Sequence, residues 1–81
     1  MNSNAWVVDV LADGEQVYDS GVVLGYDNAE ALYNRVVGQV LTEQGGEDSQ
    51  LGDRTVRLIN NGNLKAESTC YSGVVLDSFH L

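Results

Sequence analysis

The sequence predicts an α+β fold in which one amphipathic helix packs on one face of an antiparallel sheet of four to five strands. Three observations support this prediction: a helical apolar stripe near the middle of the chain, a hairpin pattern on each side of it, and a length of 81 residues, which suits a single domain. The expected order is strand, strand, helix, strand, strand, followed by a short last strand at Gly73–Ser78.

The first hairpin is predicted from an apolar, β-branched run at Ala5–Ala12, a turn at Asp13-Gly14 and a returning strand at Gln16–Ser20. A two-residue loop would place Asp19 beside core side chains. We therefore expect a three-residue loop with Gly14 left-handed, which pairs Val10 with Gln16. In this register, one face of the hairpin carries Trp6, Val8, Val10 and Tyr18. The other face carries Val7, Asp9, Leu11, Glu15, Val17 and Asp19.

The helix is predicted over Tyr26–Gly46, where apolar residues recur at three- and four-residue spacing. The stripe consists of Ala29, Leu32, Tyr33, Val36, Val37, Val40 and Leu41. Asp27 and Glu30 have capping-box spacing, with the aspartate at the cap. Gly45-Gly46 predicts a left-handed end to the helix. Gly38, inside the helix, would be explained by close approach of the backbone to the sheet.

The second hairpin is predicted from strands at Arg54–Asn60 and Leu64–Cys70, joined at Asn61-Gly62. The same three-residue register is expected. It would place Val56, Leu58, Leu64 and Ala66 on the face that meets the helix, and Thr55, Arg57, Lys65 and Glu67 on the other.

The word SGVVL occurs twice, at Ser20–Leu24 and Ser72–Leu76, and each copy follows the returning strand of a hairpin. Its glycine suits a bend that redirects a strand, and its valines and leucine suit core or a further strand. The copies do not keep a common distance from the preceding turn glycine, Gly14 or Gly62. We therefore favour local convergence on one structure over an ancient hairpin duplication.

The net charge of −8 is confined to the first part of the chain. Residues 1–52 contain nine carboxylates and one base, Arg35, whereas residues 53–81 contain three carboxylates and three bases. Such a chain repels nucleic acid and anionic membranes and is attracted to basic partners. An acidic surface that serves only solubility is the alternative.

Residues for catalysis or metal binding are scarce, so we expect no enzyme activity, cofactor or metal. The only histidine, His80, is penultimate, and the only cysteine, Cys70, is expected in the core or sheet. The loop Glu47–Asp53 lacks calcium-loop spacing. Carboxylates at the start of the helix disfavour a phosphate site there. We find no signal-peptide pattern and no membrane span, and expect a cytoplasmic protein.

The remaining hypothesis is protein binding through an anionic surface. Its candidate contacts come from the first hairpin and from the end of the helix with the loop after it: Asp9, Asp13, Glu15, Asp19, Glu43, Glu47 and Asp48. Exposed apolar residues could add a desolvated centre, namely Val7, Leu11, Val17 or Tyr26. The alternative is an assembly module that forms a homodimer, or docks on a larger protein, through its open sheet face or last strand.

The small size, the acidity, the scarcity of catalytic residues and the pattern of one helix on a sheet resemble many phage-encoded counter-defence proteins, including anti-CRISPR and antirestriction inhibitors. This resemblance is one of composition and extends over the whole chain. It implies a protein of the host cytoplasm that occupies a basic, nucleic-acid-binding surface of a partner complex. It assigns no role to an individual residue.

Overall fold

A computed structural model describes residues 4–46 and 50–81 and confirms the α+β prediction. The elements are β1 (Ala5–Ala12), β2 (Glu15–Asp19), β3 (Val23–Leu24), α1 (Tyr26–Gln44), β4 (Arg54–Asn60), β5 (Asn63–Tyr71) and β6 (Val74–His80). The strands form an antiparallel sheet in the order β2-β1-β4-β5-β6, and β3 pairs with the start of β1. No helix in the described ranges is long and apolar enough to cross a membrane.

Three hairpin turns share one construction. Asp13-Gly14, Asn61-Gly62 and Ser72-Gly73 each join two strands, and both residues of each pair have positive φ, between 51° and 83°. Positive φ at both central residues defines the type I′ turn, whose twist matches that of the flanking strands. Glycine adopts this conformation at no steric cost, and aspartate and asparagine tolerate it better than most residues.

Each returning strand also carries one extra residue at its third position: Val17 in β2, Lys65 in β5 and Leu76 in β6. A two-residue turn followed by this bulge replaces the predicted three-residue loop, which was wrong for both hairpins. Beyond the first bulge, Val10 lies opposite Tyr18. With the tight turn alone, Tyr18 would lie opposite Asp9 and face away from the helix. The bulge shifts the pairing by one residue, so that Tyr18 lies opposite Val10 and faces the same side of the sheet.

The bulges decide which side chains face the helix. Val10 and Tyr18 share a face, as predicted, although by another register. Glu15 was expected on the face away from the helix, which we call the open face. It lies instead opposite Ala12, on the helix side. Leu64 was expected in the core, but it lies opposite Ile59 on the open face.

The core lies between α1 and the middle of the sheet. All residues of the core are buried. The sheet contributes Trp6, Val8, Val10, Val56, Leu58, Ala66 and Cys70, and the helix contributes Ala29, Tyr33, Val36 and Val40. The remaining stripe residues, Leu32, Val37 and Leu41, pack against this cluster, which confirms the predicted helix face. The buried hydroxyls of Tyr33 and Ser68 lie 2.7 Å apart and satisfy each other, as buried polar groups require.

The ends of the helix differ from the prediction. The N-cap is Gly25, with no side-chain cap, so Asp27 lies inside the first turn and the expected capping box does not form. At the other end, Gly45 has φ −80°, which is right-handed. Gly38 has open space where a Cβ would be, so it makes no close approach to the sheet.

A close contact with the end of α1 explains why Gly73, in the turn between β5 and β6, is a glycine. A Cβ on Gly73 would lie 3.1 Å from the Cα of Gly45 and 3.3 Å from the carbonyl oxygen of Leu41. The turn between β5 and β6 therefore touches the end of α1 through bare backbone.

The two SGVVL copies are both bends that lead into strands, as predicted, but they bend differently. In the first copy, Gly21 has φ 72° and the chain leaves β2 to form β3 along the same edge of β1. In the second copy, Ser72-Gly73 reverses the chain into β6. The hydroxyl of Ser20 accepts a hydrogen bond from the backbone N–H of Val8 at 3.0 Å, which continues the pairing between β2 and β3.

We predict that Gly73→Ala lowers the free energy of unfolding by about 1 kcal/mol more than Gly14→Ala. Both glycines have nearly the same φ, so each substitution carries a left-handed strain of about 1–2 kcal/mol. Only Gly73 adds overpacking, because nothing lies within 4 Å of a Cβ at Gly14. Urea unfolding of the two variants gives the difference, and equal losses would contradict the contact between the turn and the helix.

Candidate functional site: an acidic edge strand beside an apolar cleft

A row of charged side chains crosses the open face. By strand pairing it runs from Asp19 on β2 through Asp9 on β1 and Arg57 on β4 to Glu67 on β5. Asp9 accepts hydrogen bonds from Arg57 through both carboxylate oxygens, at 2.8 Å from Nε and 2.5 Å from Nη2. Gln16 Nε2 donates a third, at 3.0 Å. This bidentate geometry is among the strongest arrangements for a charge pair.

Asp9 is therefore a structural residue and not the exposed contact that we expected. It is 1% exposed, because Gln16 and Arg57 cover its carboxylate. Burial alone would raise its pKa, but the hydrogen bonds from Arg57 and Gln16 and the charge of Arg57 together lower it. In return, the hydrogen bond to Asp9 and its charge raise the pKa of Arg57. The pair cancels one charge of each sign, so the net charge of −8 falls on the other residues.

The other candidate contacts lie around β2. Asp13 is in the turn before it, Glu15 is on its helix side, Asp19 is on its open face, and Glu43 is in the last turn of α1; all four are exposed. Asp19 Oδ1 also accepts a hydrogen bond of 2.8 Å from the N–H of Gly21. Glu47 and Asp48 lie outside the described residues. The carboxylates thus surround an edge strand and do not line one face.

A cleft of about 220 Å³ lies beside β2 on the helix side. It exists because α1 packs over β1, β4 and β5 and leaves the flank at β2 uncovered. Its lining is largely apolar, with a few polar groups: Val10, Val17, Tyr18, Val36, Val40 and Leu51, with Gln39, Glu43 and Arg54. Val17 is 59% exposed.

Sequence reasoning missed this cleft because it assigned Val17 to the open face. The bulge turns Val17 to the helix side, where it lines the same cleft as Val36 and Val40. The signal in the sequence is the Asp-Gly pair, which is common in two-residue turns but also compatible with a three-residue loop. A two-residue turn would place Val10 and Tyr18 on one face only if a residue of β2 bulged out. Of the other apolar contacts we expected, Tyr26 is exposed, whereas Val7 and Leu11 are half-buried.

A second polar group joins the start of α1 to β6. The hydroxyl of Tyr26 donates a hydrogen bond to Glu30, and His80 Nε2 lies 3.2 Å from that hydroxyl and 3.6 Å from Glu30 Oε2. The hydrogen bond to Glu30 raises the pKa of Tyr26. Cys70 is buried opposite Val75, well along β5 from the partner of His80, so these two side chains do not form a dyad. Burial raises the pKa of the Cys70 thiol.

Comparison with protein-family models, with curated proteins and with solved structures finds no match to this chain. In the described ranges, no three histidine, cysteine, aspartate or glutamate side chains are grouped so that they could hold a metal ion.

We predict that Arg57→Met is more destabilising at neutral pH than Asp9→Asn. Arg57→Met leaves a buried carboxylate without its counter-ion and with one remaining hydrogen bond, from Gln16, which costs about 3 kcal/mol. Asp9→Asn leaves a guanidinium that is already 30% exposed and can be hydrated, so its cost is about 1–2 kcal/mol. Urea unfolding at neutral pH measures both losses, and a larger loss in Asp9→Asn would contradict the burial of the carboxylate.

The same pair predicts a dependence on pH. Because folding lowers the pKa of Asp9, the unfolded chain takes up the proton first as the pH falls below the ordinary value of 3.8, and this part of the stability is lost. The Asp9→Asn variant has no carboxyl group at this position, so it should not lose this part of the stability as the pH falls. In Arg57→Met, burial should raise the pKa of Asp9. The difference in unfolding free energy between this variant and the wild type should therefore become smaller in acid. Parallel curves of unfolding free energy against pH for all three proteins would contradict the assignment.

Proposed function

We propose that this chain is a non-enzymatic acidic binding protein that occupies a basic, nucleic-acid-binding surface of a partner complex, as phage counter-defence inhibitors of the anti-CRISPR or antirestriction type do. The observation that carries the proposal is the group of exposed carboxylates around β2, Asp13, Glu15, Asp19 and Glu43, next to an apolar cleft.

The carboxylates are available to a partner because the bases of the chain do little to neutralise them. Among the described residues, the pair of Arg57 with Asp9 is the one ion pair between a carboxylate and a lysine or arginine, and it lies at the sheet centre. Arg54 donates to the backbone carbonyls of Gly52 and Asp53 instead. An anionic surface of this kind attracts a cationic partner from a distance and strengthens binding where contacts exclude water.

The first experiment is recovery of the partner. The immobilised protein is incubated with host lysate at low salt and eluted with high salt, and the eluted proteins are identified. We expect a basic, nucleic-acid-handling protein whose complex weakens steeply as salt increases, because exposed charges are screened over about 8 Å at physiological salt. An oligonucleotide should release it by competition. A partner that is released by neither salt nor oligonucleotide would contradict the proposal.

We predict that Glu43→Lys weakens binding to that partner about tenfold, whereas Asp77→Lys changes it less than about twofold. The variants are matched in charge, since each moves the net charge from −8 to −6. Both residues are exposed, but Glu43 lines the cleft and Asp77 lies on β6 at the opposite edge of the sheet. Calorimetric titration gives the affinities, and urea unfolding shows that both variants fold. Equal weakening would mean that net charge alone drives binding.

The β6 edge supports a second candidate, an assembly module that self-associates. β6 ends the sheet, and its residues are exposed, among them Val74, Leu76 and Phe79. An apolar edge strand is a template for pairing with another strand. This candidate predicts a dimer whose formation depends on concentration and little on salt, measured by sedimentation. A monomer at all accessible concentrations would contradict it.

A further inference from the structure

The edge of β2 and the cleft beside it form one continuous surface. β2 is the terminal strand on its side of the sheet, so in the described structure its outer edge has no partner strand. The side chains of Val17 and Tyr18 extend from this strand into the cleft. A segment that paired with the edge of β2 would therefore place alternate side chains towards the cleft.

The size and lining of the cleft favour a protein side chain over a small molecule. Its volume of about 220 Å³ is below the roughly 300–1,000 Å³ of sites that enclose a drug-sized ligand. Val10, Val36 and Val40 form an apolar floor. One bulky aliphatic side chain fits this description, and burying it would supply the desolvated centre that surface charges alone do not.

The charges beside β2 select a basic segment. Glu15 and Glu43 lie on the helix side of the strand, and Asp19 lies on its open face. Of the bases in the described residues, Arg54 alone lines the cleft. A strand that paired with β2 would therefore meet carboxylates on both of its faces, and lysine or arginine would be complementary to them.

We propose that β2 and its cleft bind an extended, basic segment of a partner protein, in which apolar residues alternate with lysine or arginine. The segment adds to the sheet as a strand beside β2, an apolar side chain enters the cleft, and the basic side chains face Asp19 and the ends of the strand. This inference rests on the proposed function and specifies how the acidic surface holds its partner.

The first test is a titration of the ¹⁵N-labelled protein with the capped peptide KVKLKVK, followed by NMR. We expect chemical-shift changes at Glu15–Asp19 and at Val36 and Val40, and none at β6. The peptide KSKSKSK has the same charge but no apolar side chain, and should bind at least tenfold more weakly. Equal affinity of the two peptides, or shifts centred on β6, would overturn the proposal. Shifts at β2 that depend on protein concentration without peptide would also overturn it, in favour of a second copy.

A pair of matched variants tests the same surface by mutation. Val17 is 59% exposed on β2 and Val74 is 57% exposed on β6, so aspartate at either position adds the same charge to an equally exposed edge strand. Val17→Asp should weaken KVKLKVK binding at least tenfold, because a carboxylate in the cleft would lose its hydration when an apolar side chain enters, and this cost exceeds its attraction for the lysines. Val74→Asp should leave binding unchanged. Urea unfolding shows that each variant folds. A loss in Val74→Asp, or none in Val17→Asp, would overturn the proposal.

Failure of this inference is distinguishable from failure of the proposed function. If the partner recovered from lysate binds Val17→Asp normally but loses affinity for Glu43→Lys, the cleft and strand-addition model is wrong while electrostatic binding stands. If no basic, salt-sensitive partner is recovered and KVKLKVK does not bind, both are wrong.

Discussion

The register of the three hairpins is the constraint on which the rest of the structure depends. In a strand, a slip of one residue exchanges the two faces, so an error in one hairpin would bury charged residues and expose the core. Each tight turn here is followed by a single extra residue at the third position of the returning strand. That pairing of turn and bulge places Leu58 opposite Ala66 under the helix and Arg57 opposite Glu67 on the open face. It also gives the edge strand β2 the bulge that turns Val17 towards the helix.

The sequence predicted those features that depend on periodicity over many residues. The helix face was correct because seven apolar positions agree on it, and the bounds of β1 were correct because the run at Ala5–Ala12 ends at an Asp-Gly turn. The registers and the helix caps were wrong because each depends on the backbone conformation of one or two residues. Asp13-Gly14 is compatible with either loop length, and only the packed sheet selects the tight turn with a bulge. The cleft at β2 was missed for the same reason, since it follows from the bulge.

The burial of Asp9 shows how a charge pattern can mislead. In the sequence it is one of nine carboxylates in an acidic stretch, but three hydrogen bonds at the sheet centre make it part of the framework. The carboxylates that remain around β2 are divided between its two faces. A continuous anionic plane would suit any cationic surface, whereas a strand edge with carboxylates on both sides suits an extended cationic segment. The geometry therefore refines the electrostatic hypothesis towards a particular shape of partner.

The cleft and the proposed docking edge depend on the bulge at Val17, so the pairing of β1 with β2 is the central claim. Cross-strand backbone NOEs in the NMR spectrum of the free protein measure it directly. We predict contacts that connect Val10 with Tyr18 and Leu11 with Gln16. Contacts of Asp9 with Tyr18 instead of Asp19 would show an unbroken two-residue hairpin, and contacts of Val10 with Gln16 would show a three-residue loop. Either result would contradict the account.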